Sequence, residues 1–214
     1  MVERAFETAG TNGDRRLEAN ALSVRGMTLH FRAIDLPTTE RASIDPGPEQ
    51  TLFEQALALR RELGDTEGIA ESLFQLGLVH QVLRRDLDAG APFIYEALDV
   101  VATAPTAAIL LRSEIHRHVG FDALLRRERR EEARDHLQAS LALRETLEER
   151  GWLASGHVAL SLCERVAGRR AQAVEHARES LMIAREEGLR ERFLVAAQDA
   201  LEEAEALARD GPGA

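Results

Sequence analysis

At 214 residues the chain fits one compact domain, two small ones or an elongated repeat array. Only 4% of residues are aromatic and 44% are apolar, with Leu, Ala, Glu and Arg dominant, a profile of interdigitated helices that leaves little for a β-sandwich. Twenty-seven Lys and Arg against 37 Asp and Glu give a formal net charge of −10, the wrong sign for neutralising phosphates, so nucleic acid is a poor default partner.

The helical period of apolar residues predicts helices over 2–9, 14–35, 49–63, 67–84, 87–103, 106–127, 129–150, 152–167, 171–187 and 190–209. Asp14, Asp65 and Gly151 mark boundaries, and Gly64 and Gly188 suit left-handed helix ends. Most breaks are short. The exception is 36–48, which holds Pro37, Pro46 and Pro48, three of the six prolines, and reads either as a functional lid or as a disordered loop. The densest charge run, 126–135, alternates sign and reads as a salt-bridged helix start. The tail 210–214 is expected to be disordered. Cys163, the sole cysteine, sits in a helical pattern as a small apolar residue, which suits the cytoplasm. No apolar run approaches 18 residues, so no membrane span or export signal is expected.

The sequence also matches itself. Residues 13–26 and 64–77 share Gly, Asp, Ala, Leu and Gly at an offset of 51, and Ala133 and Leu141 fall over Ala173 and Leu181 at an offset of 40. Each unit is two apolar-periodic stretches around a short polar break. One helix hairpin cannot bury its apolar face alone, so stacked neighbours must supply the core.

These units resemble tetratricopeptide repeats. Leu73, Leu76, Gly77 and His80 occupy the bulky, leucine, small and aromatic positions of that family's first helix; the fourth unit supplies His157, Leu160 and Ser161 in the first three, then Gly168, with Ala173 and Ala177 at later positions. The spacing near 40 is similar to the longer variant found in C-terminal regions of bacterial transcriptional regulators and signalling ATPases. The resemblance implies an all-α fold: a right-handed superhelical solenoid of antiparallel helix pairs. Four pairs are expected, at about 14–63, 67–103, 106–150 and 152–187, with a capping helix at 190–209, in one domain spanning 1–209.

The resemblance also implies a concave groove lined by the first helix of each pair. Carried over by position, the lining is Asn20, Ser23, Met27, His30 and Phe31; Glu71, Phe74, Leu78, Gln81 and Val82; Glu114, Arg117, Phe121, Leu124 and Leu125; and Ser155, Val158, Leu162, Arg165 and Val166. More than half is apolar, which favours an amphipathic helix, an apolar ligand or the chain's own C-terminal helix as occupant. The same pattern also fits core residues with the register shifted by one.

Chemistry is sparsely signalled. His116 and His118 lie about 200° apart on a helix and cannot share an ion. His80, His116 and His157 fall at positions the family fills with packed side chains. No metal-binding, phosphate-cradling or nucleophile-elbow motif is present, and no cofactor is expected. His30 with Glu71 is the one pair with the makings of an acid/base dyad. Trp152 is expected to pack the seam between units.

The leading expectation is therefore a non-catalytic cytoplasmic adaptor whose groove binds a protein segment or peptide, without nucleic acid or membrane. The alternatives are a small-molecule or peptide sensor, and an enzyme of specialised metabolism using the groove as a pocket. The N-terminal residues read as the second helix of an incomplete unit, which makes dimerisation through that end a further expectation.

Overall fold

The computed structural model describes residues 14–41, 43–104, 106–126 and 129–209. It is all-helical, with no strand among the described residues. The predicted helix at 2–9 and the tail 210–214 lie outside the described residues. The chain divides into two compact units, with the division between Ala107 and Ala108.

The first unit contains α1 (Arg15–Ile34), the short α2 (Thr38–Arg41), α3 (Gly47–Leu63), α4 (Thr66–Leu78) and α5 (Leu87–Ala102). Helix α1 packs on α3, α3 on α4, and α4 on α5. Asp14 caps α1 by accepting the N–H groups of Arg16 and Leu17 at 3.1 and 3.0 Å, and Asp65 caps α4 through Gly68 N–H at 3.2 Å. The expected helix 67–84 is in fact two conformations: after Leu78 the backbone widens into a π-helical turn, Val79–Arg84. Arg85 ends it at φ 55°, a left-handed conformation that few non-glycine residues adopt.

The second unit contains α6 (Ile109–Leu125), α7 (Arg130–Glu145), α8 (Gly151–Val166), α9 (Arg170–Glu186) and α10 (Glu191–Arg209). Each packs on the next, and α10 also packs on α8. Helix α7 stops five residues short of the expected 150, in a turn where Thr146 Oγ1 donates back to Leu143 O at 2.7 Å. In the acidic-basic run, Arg126 pairs with Asp122 and Arg129 with Glu132. No helix among the described residues is long and apolar enough to cross a membrane.

Close approach of neighbouring helices rests on small residues at one recurrent position. A methyl carbon at Gly26 would lie 2.3 Å from the Phe53 ring, one at Gly77 2.3 Å from Ile94, and one at Gly120 2.7 Å from Leu137. These are distances no packed carbon tolerates. At the matching place in α8, Ser161 stays small and donates its Oγ–H to Ala173 O at 2.8 Å.

Each unit also contains one buried arginine that fastens three helices. Arg60 of α3 donates to Asn20 Oδ1 of α1 at 3.1 Å, and to Glu71 Oε2 and Ser72 Oγ of α4 at 2.5 and 2.6 Å. Arg144 of α7 donates to Ser113 Oγ and Glu114 of α6, and to Ser155 Oγ and Trp152 O of α8. Trp152 thus serves the seam through its carbonyl, and its side chain is exposed instead of packed.

The Glu114–Arg144 pair is charged over a wide range. Burial alone would push the Glu114 carboxyl up, but Arg117, Arg144 and His118 outweigh it and bring the group to about 2. Burial pulls Arg144 down to about 10, against the raising effect of Glu114. These shifts pull the pair's two members opposite ways in stability, yet both values leave the ions intact at neutral pH, and the surrounding hydrogen bonds favour the paired form. Replacing Arg144 with Met leaves Glu114 Oε1 without its donor, with Arg117 still on Oε2, and removes a donor from three other acceptors. The expected loss is about 3–5 kcal/mol in denaturant unfolding, with Glu114→Gln in the same chain recovering part of it; a loss below about 1 kcal/mol would show that the fork is dispensable.

Candidate functional site

The expected lining residues divide into three groups in the structure. Phe74, Leu78 and Leu124 are buried in the cores of their units and do not line an open surface. They are corrections to the sequence reading, and the reason is physical: an apolar residue at helical spacing looks the same whether it faces a groove or a neighbouring helix. Leu124 belongs to the core that joins α6, α7 and α8, against Leu137, Leu141 and Leu160.

A second group is covered by the chain itself. Val158 packs against the cluster that includes Ala197 of α10, as Leu194 and Leu201 of that helix do, and Arg165 pairs with Glu203 of the same helix. The C-terminal helix therefore occupies this stripe in the second unit. Leu162 packs half-buried beside the α6–α7–α8 core. Arg117 donates to Glu114 Oε2 at 2.8 Å and lies over the Phe121 ring, 5.4 Å from its centre.

The third group lies in the first unit. Met27, Glu71 and Gln81 are half-buried, and Phe31 is exposed. The His30–Glu71 pair does not form. Glu71 instead accepts from Arg60, and His30 Nδ1 lies 3.0 Å from Glu49 Oε1, both side chains being buried. No group of three or more His, Cys, Asp and Glu among the described residues is placed to hold a metal ion.

Two features went unread in the sequence. The first is a stripe on α1. Leu17, Val24 and Phe31 are 38%, 51% and 47% exposed and are spaced seven apart, which keeps them on one face of the helix. The exposed Arg25 and Arg32 follow the stripe on one side and Arg16 stands on the other, and their guanidinium groups form no hydrogen bond or ion pair among the described residues. The seven-residue spacing was there to be found; what sequence lacked was the knowledge that Leu17 and Val24 face outward.

The second is a cavity of about 270 Å³ beneath the proline-containing segment. That segment is built, not open. Arg41 of α2 donates to Ile34 O at 2.7 Å and Leu36 O at 3.2 Å, tying it to the end of α1, and Asp45 Oδ1 accepts Gly47 N–H at 2.9 Å. Leu29, Leu36, Ile44 and Pro48 form apolar wall, and Glu49 is part of the lining.

The histidines expected to be packed are indeed satisfied, in a form that sequence did not suggest. His116 of α6 faces His136 of α7 with Nδ1 atoms 2.9 Å apart, and His157 of α8 faces His176 of α9 at 3.0 Å. His80 stacks on Phe93 with centres 5.5 Å apart. Each Nδ1 pair holds one proton, because one ring must donate and the other accept.

Burial lowers all four of these rings. His136 lowers His116 further and His176 takes His157 to about 4, whereas Glu132 and Asp135 partly restore His136, and Glu164 and Glu175 partly restore His176. Cys163, between these helices, is buried and its thiol is pushed up, chiefly by burial, so it is unreactive. No family model matches the chain, and no curated protein is significantly similar to it.

The sign of the pH effect follows. The unfolded chain takes up protons near 6.5 while the folded pairs refuse them, so the unfolded state binds more protons and stability falls as pH drops from about 6.5 towards 4. Glu114, held near 2, remains charged throughout this window. Calorimetry at pH 7.5 and 5 should show a melting temperature lower by roughly 5 °C in acid, and His157→Gln should shrink that difference. An unchanged difference would mean that the pair does not govern the acid response.

Proposed function

We propose that this chain is a non-catalytic adaptor of the tetratricopeptide type, working in the cytoplasm, whose helix α1 docks an acidic amphipathic helix of a partner protein. Recurrence supports the repeat reading: small residues at Gly26, Gly77, Gly120 and Ser161 sit at matched places, and Arg60 and Arg144 make the same bridge in separate units. In this reading the helix pairs stack as a right-handed solenoid and α10 caps the last pair.

One observation carries the partner assignment. The exposed stripe Leu17, Val24 and Phe31 is flanked by three arginines that have no ion-pair partner among the described residues, in a chain whose net charge is −10. Apolar surface at a seven-residue spacing fits the seam of a second helix. Unpaired cations along it select acidic flanks and disfavour basic ones. A second copy of this chain is a poorer match, since pairing α1 with itself brings these arginines into one seam.

The test uses two synthetic helical peptides, each with leucine at seven-residue spacing, one flanked by Glu and one by Lys. The Glu peptide should bind in fluorescence anisotropy and weaken with added salt. Val24→Asp with Phe31→Asp should abolish binding while helicity is retained, and Arg25→Glu should weaken it by about tenfold. Equal binding of the Lys peptide would overturn the proposal. So would a dimer in light scattering that the same double variant dissolves, because the stripe would then belong to a second copy.

A further inference from the structure

We infer that the two facing histidine pairs, His116 with His136 and His157 with His176, are each a binding site for one divalent transition-metal ion of the copper(II) type. The pairs lie in the second unit, and nothing about them depends on the α1 stripe. The two units differ at these places in a way that packing does not require.

Four residues before the recurrent small positions Gly26, Gly77, Gly120 and Ser161 stand Leu22, Leu73, His116 and His157. One residue before Phe53, Ile94 and Leu137, which meet the first three of those positions, stand Leu52, Phe93 and His136, and His176 lies 40 beyond His136 in the self-match. The first unit thus fills both places with apolar side chains, and its helices still approach closely. In the second unit both members of each pair are imidazoles. Leu and Phe would have supplied the volume, so what sets these pairs apart is two ring nitrogens brought together from adjacent helices.

The separation of those nitrogens suits one kind of ion. Two donors about 2.0 Å from a metal lie about 2.8 Å apart when cis on a square-planar or tetragonal centre, about 3.3 Å apart on a tetrahedral one and about 4 Å apart on a linear one. The Nδ1 atoms are 2.9 and 3.0 Å apart. Copper(II) and nickel(II) prefer the first geometry. In the free protein the two nitrogens of a pair share a proton, so coordination requires both rings to turn toward a common point and the donating ring to carry its proton on Nε2 instead. The helices need not separate, and no net proton is gained or lost.

The four histidines are half-buried, which leaves an open side where water completes the shell. No third His, Cys, Asp or Glu among the described residues is placed to join either pair, so the affinity is that of two imidazoles and not of a permanent structural site. Around the first pair Glu132 and Asp135 offset Arg112 and Arg129, and around the second Glu164, Glu175 and Glu179 outnumber Arg134. Neither place has a surplus of positive charge to repel an ion. Bound metal would staple α6 to α7 and α8 to α9, adding stability that depends on its concentration.

Isothermal titration of the full chain, without an affinity tag, would use Cu(II), Ni(II), Zn(II) and Mg(II) as probes. Cu(II) should bind with Kd below about 100 µM, Ni(II) and Zn(II) more weakly, and Mg(II) not at all. The decisive quantity is a difference in stoichiometry: His116→Gln and His157→Gln should each lose one Cu(II) per chain, and the double variant both. Should these variants fail to fold, His116→Leu with His136→Phe and His157→Leu with His176→Phe install the residues that the first unit carries at Leu73 and Phe93, and should lose the same ions. In ¹H–¹⁵N spectra Cu(II) should broaden the amides flanking the four histidines in the natural sequence and spare them in the double variant. A Cu(II) stoichiometry unchanged in a folded double variant, broadening that spares these four residues in the natural sequence, or a Kd weaker than about 100 µM would overturn the inference.

Discussion

The packing of each unit turns on one arginine that is fully removed from water. A guanidinium in the core is costly unless acceptors surround it; Arg144 meets that condition, and Arg60 does so at both terminal nitrogens while its buried Nε has no acceptor, each by drawing on two flanking helices at once. Apolar contact tolerates sliding. A planar fork aimed at fixed oxygens does not, so these residues set the axial register of α1, α3 and α4 in one unit and of α6, α7 and α8 in the other. The glycines act with them: Gly26 and Gly120 let α1 and α6 come close to the helices that carry the forks, and Gly68 of α4 leaves room for the Arg60 side chain itself.

The same frame explains how the paired histidines take part in packing. His116 and His157 stand where the family resemblance expects a bulky side chain, and each meets a second imidazole from the following helix. A ring in such a pair has the volume of an aromatic and a polar edge that the partner satisfies. The arrangement satisfies the Nδ1 atom of each ring at neutral pH.

How much of this could be read beforehand varied with the kind of interaction. Helix positions followed from apolar period and from caps such as Asp14 and Asp65, which act locally. The small-residue positions were also legible, since Gly26 and Gly77 align in the self-match. Long-range pairing was not. Nothing in the sequence says that His30 meets Glu49 and not Glu71, because that choice depends on the path of the segment between α1 and α3. Surface and core were confused for Phe74, Leu78 and Leu124 for the same reason: period gives a face, and only the fold gives what the face meets. The phrases around Arg60 and Arg144, "ALALRRE" and "SLALRET", are alike enough that the shared fork was within reach.

One absence in that series matters for the end of the chain. At the place of Arg60 and Arg144, offset by 40 from the latter, α9 has Ala184, which is fully buried among Leu181, Ile183 and Ala197. Helix α10 is thus held by non-directional apolar contact and by ion pairs such as Arg178–Glu205, whose arginine is largely exposed. Where the six helices joined by the two forks are indexed, this one is merely seated. Its amide protons are the ones that should exchange with solvent ahead of the core, and its outer residues can change freely so long as Ala197 and Ala204 still nest against their neighbours.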